Sequence, residues 1–145
     1  MASSSTHRTW LSSTVKHGIL EASHRTPIAV ATAADSGGPG DGWTPEELLV
    51  GALETCMTAS FHALARQSGL GHFRTSSTCA GTVQRGSRSA FTEIHVCLNV
   101  VVGAESERAL AGKLAERAGA ACTIANSLGC PVHVDYTVVV ADAPR

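Results

Sequence analysis

Apolar side chains recur every three or four residues after Pro45, with Leu49, Leu53 and Cys56 falling on one side. This spacing is typical of an amphipathic helix, because residues three and four apart share a helix face. The pattern predicts a helix over residues 45–68. Small or apolar residues also occupy its other faces, so we expect this helix to be central in the fold.

The ends of this helix are also written in the sequence. Thr44 is a favoured N-cap residue, Pro45 suits the first helical position, and Glu47 completes a capping box with Thr44. Gly69 is the expected stop. Glu46 is not needed for either end, although its charge also complements the positive helix terminus.

Elsewhere the pattern predicts mostly strands. The predicted strands cover residues 10–19, 28–33, 72–84, 91–102 and 132–140, and a second helix covers residues 105–119. Strands that come in groups between helices favour an α+β fold with antiparallel sheets over a doubly wound one. The polar residues 1–7 are predicted to be a disordered tail, and residues 8–145 a single domain.

Composition excludes several classes of function. The formal net charge is −1 and charged residues make up 16% of the chain, which argues against a nucleic-acid-binding surface. No uninterrupted apolar run approaches the ~20 residues of a membrane span, so none is predicted. The N-terminus has no apolar signal region, so we expect a cytoplasmic protein with reduced thiols.

The chain has five cysteines, an odd number without a CxxC pair, which disfavours a disulfide framework, a zinc ribbon or a thioredoxin motif. Cys56 lies three turns into the first helix, and Cys122 follows the second. A lone helical cysteine is usually inert packing, whereas a pair held by two helices can do redox chemistry. Reactivity requires a thiolate, and the start of the first helix, roughly 18 Å away, is too distant to stabilise one.

Two motifs resemble a known family. Residues 45–49 read PEELL, with Cys56 ten residues after Glu46, and residues 122–128 read CTIANSL before a Val-rich strand. Together these motifs resemble the OsmC/Ohr family of thiol peroxidases, and the resemblance covers residues 10–140. It implies an OsmC-like fold in which antiparallel sheets wrap around two central helices in an intertwined homodimer.

The resemblance also implies a cysteine-based reduction of organic hydroperoxides, without a cofactor, in oxidative-stress defence. Cys56 would attack the peroxide, and Cys122 would resolve the product as a disulfide. Glu46 would bind an arginine that orients the nucleophile, and Arg25 is the candidate for it. An external dithiol such as dihydrolipoamide would then restore the thiols.

Alternatives remain at several positions. Cys130 is a second possible resolver, although packing at a strand start explains it more simply. If Arg25 is not in place, the arginine would be Arg74, Arg85 or Arg88 of the partner subunit. The whole chain would otherwise be a non-catalytic OsmC-like stress-response or small-ligand-binding protein.

Two further expectations concern ligands. Leu53, Met57 and Phe61 would line a pocket for apolar hydroperoxides. His95 and Cys97 share a strand face, and with His133 they would bind zinc if the two strands were adjacent. Solvent-exposed polar residues explain the same pattern, so no metal ligand is predicted.

Overall fold

The computed structural model describes residues 4–141, which divide into an N-terminal unit ending at Leu49 and a C-terminal unit beginning at Val50. Of the predicted tail, residues 1–3 lie outside the described part, and residues 4–7 form neither helix nor strand. The predicted single domain over residues 8–145 stays a prediction.

The N-terminal unit is built around a three-stranded antiparallel sheet in the order β1-β2-β3. Its strands are β1 (Trp10–Ser13), β2 (His17–Glu21) and β3 (Ile28–Ala31). The prediction of one strand over residues 10–19 was wrong, because the backbone N–H of Thr14 donates to the carbonyl of His17 (2.8 Å) and closes a hairpin. The pattern missed this turn because no glycine or proline marks it.

Helix α1 (Pro45–Gln67) begins and ends as predicted. The N–H of Thr44 donates to Glu47 Oε2 (2.8 Å), and the N–H of Glu47 donates to Thr44 Oγ1 (3.2 Å), which confirms the capping box. At the other end Gly69 has φ 68°, and the N–H of Leu70 donates to the carbonyl of Ala65 (3.0 Å). This is a Schellman ending, which needs the left-handed conformation that glycine adopts readily.

By length and composition, α1 is also apolar enough to cross a membrane. Core helices of soluble proteins pass the same test. Leu53, Met57, Phe61 and Ala65 are fully buried in the C-terminal unit, whereas the most apolar stretch of α1 is 22% buried. Glu54 interrupts the apolar residues of α1, so the helix contains no uninterrupted apolar run of about 20 residues.

The C-terminal unit contains the second sheet, in the order β4-β5-β6. Its elements are β4 (Phe73–Gln84), β5 (Ala90–Val102), α2 (Glu105–Ala121), α3 (Thr123–Ser127) and β6 (Val132–Val140). From Ile94 onward every second residue of β5 is buried, and the predicted apolar face is confirmed at 0–1% exposure for Ile94, Val96, Leu98, Val100 and Val102. The alternate residues of β5 form the opposite, outer face of this sheet.

Helix α2 packs closely on β6. A side chain added at Gly119 would lie 3.4 Å from Val134 Cγ2, and one at Gly112 would lie 3.5 Å from the ring of Tyr136. The hydroxyl of Tyr136 donates to Glu116 Oε1 (2.7 Å). Small residues therefore let the helix backbone approach the sheet, and this polar contact ties the helix to β6.

The prediction of purely antiparallel sheets was wrong for the second sheet. β4 pairs with β5 antiparallel, whereas β5 pairs with β6 parallel, with His95 opposite His133 and Val102 opposite Val140. A parallel pair needs a long crossover, and residues 103–131, which include α2 and α3, supply it. Grouping strands by their order in the chain could not reveal this.

Replacing Leu98 with alanine should lower the free energy of unfolding by about 2–5 kcal/mol, because it leaves a cavity beneath a fully buried side chain. The matched control is Ser76→Ala, at an exposed position of β4. It should change the free energy of unfolding by less than about 0.5 kcal/mol. Urea unfolding at one fixed protein concentration measures both. Similar losses in the two variants would contradict the assignment of the core.

Candidate functional site

Two cysteine thiols meet inside the C-terminal unit. Cys56 lies on α1 and is half-buried, and Cys122 lies between α2 and α3 and is fully buried. Both are free thiols. Their side chains are hydrogen-bonded to each other, so two residues 66 positions apart in the sequence form one pair.

Cys56 is surrounded by hydrogen-bond donors. Burial by itself would raise the pKa of its thiol, but hydrogen bonds with the backbone of Ile124 and Thr123 and the side chains of Cys122 and Ser60 outweigh it. The net effect is a pKa for Cys56 below its ordinary value. Donors that face a sulfur stabilise its charged form, so the site favours a thiolate at Cys56.

Cys122 is shifted in the opposite direction. Burial raises the pKa of its thiol, and the hydrogen bond and charge of Cys56 raise it further, against a lowering contribution from the N–H of Ala125. That N–H donates to the Cys122 sulfur over 3.4 Å as part of the α3 N-cap. Cys122 is therefore the weaker acid of the two thiols, and its S–H donates to the Cys56 sulfur.

The junction between α2 and α3 is held by its own hydrogen bonds. The amide of Asn126 donates to the carbonyl of Ala120 (3.0 Å), and the N–H of Asn126 donates to the carbonyl of Cys122 (3.1 Å). Ser60 on α1 also reaches the junction, where the carbonyl of Ala121 (3.5 Å) is an alternative acceptor to the Cys56 sulfur for its single hydroxyl proton. These contacts fix the backbone that presents N–H groups to the sulfur of Cys56.

The family resemblance implied that an arginine orients Cys56. Within the C-terminal unit the groups that lower the pKa of Cys56 are instead uncharged donors, chiefly the backbone of α3. Periodicity could not find them, because a five-residue helix is too short to show a pattern. The one available signal was Asn126 so soon after Cys122, since asparagine side chains often bond to nearby backbone groups.

Glu46 and Arg25 lie in the N-terminal unit. Glu46 is half-buried in the first turn of α1 and lines a cleft of about 310 Å³ together with Leu11, Lys16 and Val30. Arg25 is exposed in the loop between β2 and β3, where its Nη1 donates to the carbonyl of His24 (3.3 Å). The predicted roles of Glu46 and Arg25 stay predictions.

The remaining cysteines and Glu54 occupy other environments. Cys130 and Cys97 are half-buried. Burial, followed by the charge of Glu54, raises the pKa of Cys79 to about 11. Glu54 accepts a hydrogen bond from the hydroxyl of Ser77 on β4 (2.7 Å), so its carboxylate faces the strand.

The expected apolar pocket beside Cys56 is not built from the residues predicted for it. Leu53, Met57 and Phe61 have no exposed surface, and the ring of Phe61 packs edge-on against Phe73 at 5.5 Å between centroids. These side chains are core residues. The sequence could not distinguish a pocket wall from a core face, because both require the same apolar spacing.

The sequence profile of the OsmC family, described as OsmC-like protein, matches residues 38–137, which is more than half of the chain. The matched region includes both cysteines of the pair and Glu46, while Arg25 lies before it. No curated protein sequence matches this chain.

Solved structures share the fold. An OsmC-like protein of unknown function from Vibrio cholerae has a TM-score of 0.80 at 18% identity, covering 92% of this chain and 100% of that one. An OsmC-like protein from Mycoplasma pneumoniae gives 0.76 at 14% identity, with 93% and 98% covered. An organic hydroperoxide resistance protein OsmC from Legionella pneumophila gives 0.72 at 18% identity, with 96% and 100% covered.

Alkylation by iodoacetamide should follow the opposed shifts of the two thiols. Because only the thiolate reacts, Cys56 should label with a midpoint below pH 9.0, its ordinary pKa, and Cys79 only near pH 11. Cys122→Ala removes one hydrogen-bond donor, so the Cys56 midpoint should move to higher pH. Peptide mass spectrometry across a pH series measures each site.

Cys97→Ser is the matched control, because Cys97 lies on the outer face of β5. It should leave the Cys56 curve in place. A wild-type midpoint at or above pH 9.0, or one that Cys122→Ala does not move, would contradict the hydrogen-bonded arrangement.

Proposed function

The chain belongs to the OsmC-like protein family, and on that premise we propose that it is a cytoplasmic thiol peroxidase that reduces organic hydroperoxides to alcohols. The observation that carries the proposal is the hydrogen-bonded pair of Cys56 and Cys122, whose pKa values are shifted in opposite directions. One thiol is disposed to act as a nucleophile, and the other is held beside it in the protonated form.

In the first step the Cys56 thiolate attacks the distal oxygen of the hydroperoxide. An S–O bond forms and the O–O bond breaks, so the sulfur loses two electrons and becomes a sulfenic acid. The leaving alkoxide takes up a proton and departs as the alcohol. The donors that surround Cys56 support this step, because they raise the fraction of nucleophilic thiolate.

In the second step Cys122 attacks the Cys56 sulfenic acid. Cys122 gives up its proton, an S–S bond forms, the S–O bond breaks, and the hydroxide leaves as water after protonation. Since the two side chains are already hydrogen-bonded, this step needs only a short movement. Rapid closure protects Cys56 from further oxidation to the sulfinic acid.

An external dithiol completes the cycle. Dihydrolipoamide, or a dithiol of the same class, exchanges with the disulfide through a mixed disulfide and leaves both cysteines reduced. Exchange requires access to the attacked sulfur, and Cys122 is fully buried whereas Cys56 is half-buried. We therefore assign Cys56 as the sulfur that the reductant attacks.

The choice of organic hydroperoxides over hydrogen peroxide draws on a family relative. The similar Legionella protein is described as an organic hydroperoxide resistance protein. Glu46 is proposed to hold Arg25 for orienting the peroxide, a task that leaves thiolate stabilisation to the backbone of α3.

A homodimer is part of the proposal. The N-terminal unit exposes several large apolar side chains, between 38% and 94% of their surface: Trp10, Leu11, Val15, Ile19, Ile28 and Trp43. A set of exposed apolar residues of this size is typical of a surface that another chain covers. The family resemblance makes a second copy of this chain the expected partner.

Reduction of cumene hydroperoxide by dihydrolipoamide should depend on Cys56. We expect Cys56→Ser to lower the rate at least about 1,000-fold, since serine is not ionised at neutral pH and cannot replace the thiolate. Loss of hydroperoxide is followed by a ferrous-oxidation assay. Cys97→Ser is the control and should keep wild-type activity, whereas equal rates for wild type and Cys56→Ser would refute the proposed role of Cys56.

One equivalent of hydroperoxide should convert the reduced chain into a species lighter by two hydrogens. Peptide mapping should locate the disulfide between Cys56 and Cys122. In Cys122→Ser the two-hydrogen loss should disappear and the mass should rise by one or more oxygens. A disulfide that persists in Cys122→Ser but vanishes in Cys130→Ser would assign resolution to Cys130 instead.

A further inference from the structure

Three metal-binding side chains converge on the outer face of the second sheet. In the part of the chain that the structure describes, donor atoms of Glu93, His95 and His133 all lie within 4.8 Å of one another. Glu93 and His95 are two residues apart on β5, so they share a face, and His133 is the partner of His95 on β6. The parallel register thus assembles the group from two strands.

The sequence had suggested a different third member. Cys97 lies two residues beyond His95 on β5, where its partner on β6 is Asp135, not His133. Its Sγ lies 4.0 Å from Asn99 Oδ1. Glu93 takes the third place because its side chain extends back toward the imidazoles. The carboxylate could not be identified from spacing alone, because the pairing of β5 with β6 was not foreseen.

The distances match the requirements of a small cation. Glu93 Oε2 lies 3.4 Å from His95 Nε2 and 3.9 Å from His133 Nε2. Ligands bound at about 2.0–2.1 Å in a tetrahedral arrangement are roughly 3.3–3.4 Å apart, so the donor atoms are close enough for side-chain rotations that turn the two imidazole planes toward one point to close the site. The two imidazole rings are stacked, with centroids 4.5 Å apart and planes inclined by 23°.

We propose that Glu93, His95 and His133 form a binding site for a divalent transition metal ion, with Zn²⁺ as the representative ligand. Two imidazoles and one carboxylate are a donor set for Zn²⁺ and its neighbours, whereas Mg²⁺ and Ca²⁺ prefer oxygen ligands. All three side chains are about half exposed: His95 53%, Glu93 47% and His133 51%. Solvent can therefore deliver the ion and supply its remaining ligand.

The site is separate from the thiol pair. On β5 the residues next to His95 are Ile94 and Val96, which are buried on the opposite face. A metal ion bound here would link β5 to β6 across their parallel pairing. Its expected effect is structural, as a clip between strands that are far apart in the sequence.

Isothermal titration of tag-free, reduced protein with ZnCl₂ tests the site, with MgCl₂ as the control titrant. We expect one Zn²⁺ per chain in wild type. His133→Asn removes one of three ligands and should weaken Zn²⁺ binding at least about 100-fold. Even residues that only hydrogen-bond to a metal ligand change the affinity by up to about that factor. Glu93→Gln should weaken it at least about tenfold, and a fixed Zn²⁺ concentration should raise the thermal midpoint of wild type more than that of either variant.

Two controls separate this site from other ligands. His72→Asn replaces an exposed histidine outside the group and should bind Zn²⁺ like wild type. The double variant Cys56→Ser/Cys122→Ser should also bind normally. The proposal is overturned if wild type shows no saturable binding, if His133→Asn binds within threefold of wild type, or if only the double cysteine variant loses the ion.

Discussion

Parallel strands enter a sheet from the same end, so a chain that leaves one of them must cross the full height of the sheet before it joins the next. Between β5 and β6 this crossing takes residues 103–131. Helix α2 makes the return along the buried face of the sheet, and the remaining residues must turn back into β6. Cys122 lies at that turn, so the parallel pairing decides where the second thiol is placed.

The turn also determines the electrostatics of the pair. A cysteine between two helices has backbone N–H groups of the second helix directly after it, and those of Thr123 and Ile124 face Cys56 instead of solvent. Two chemically identical thiols therefore acquire different roles. One gains donors that outweigh the effect of its burial, whereas the other, with less compensation, stays protonated and becomes a donor itself.

Local features of the fold were predictable because each depends on residues close together in the sequence. The capping box of Thr44 and Glu47, the stop at Gly69 and the buried face of β5 all follow from spacing. The parallel direction of β6 and the N–H groups that face Cys56 were not predictable, because they depend on which strand β6 joins. Leu53 shows a further limit, since an apolar helix position does not reveal whether it faces a core or a pocket.

The same contrast between local and long-range features applies to the arginine that the family resemblance implied beside Cys56. A buried thiolate needs a compensating partner, and only a charged side chain can be recognised from sequence as one. Backbone N–H groups carry no residue identity, yet they lower the pKa of Cys56 without bringing a second charge into the site. The task proposed for Arg25 is therefore limited to binding the substrate, because the backbone N–H groups of the crossover that joins β5 to β6 already lower the pKa of Cys56.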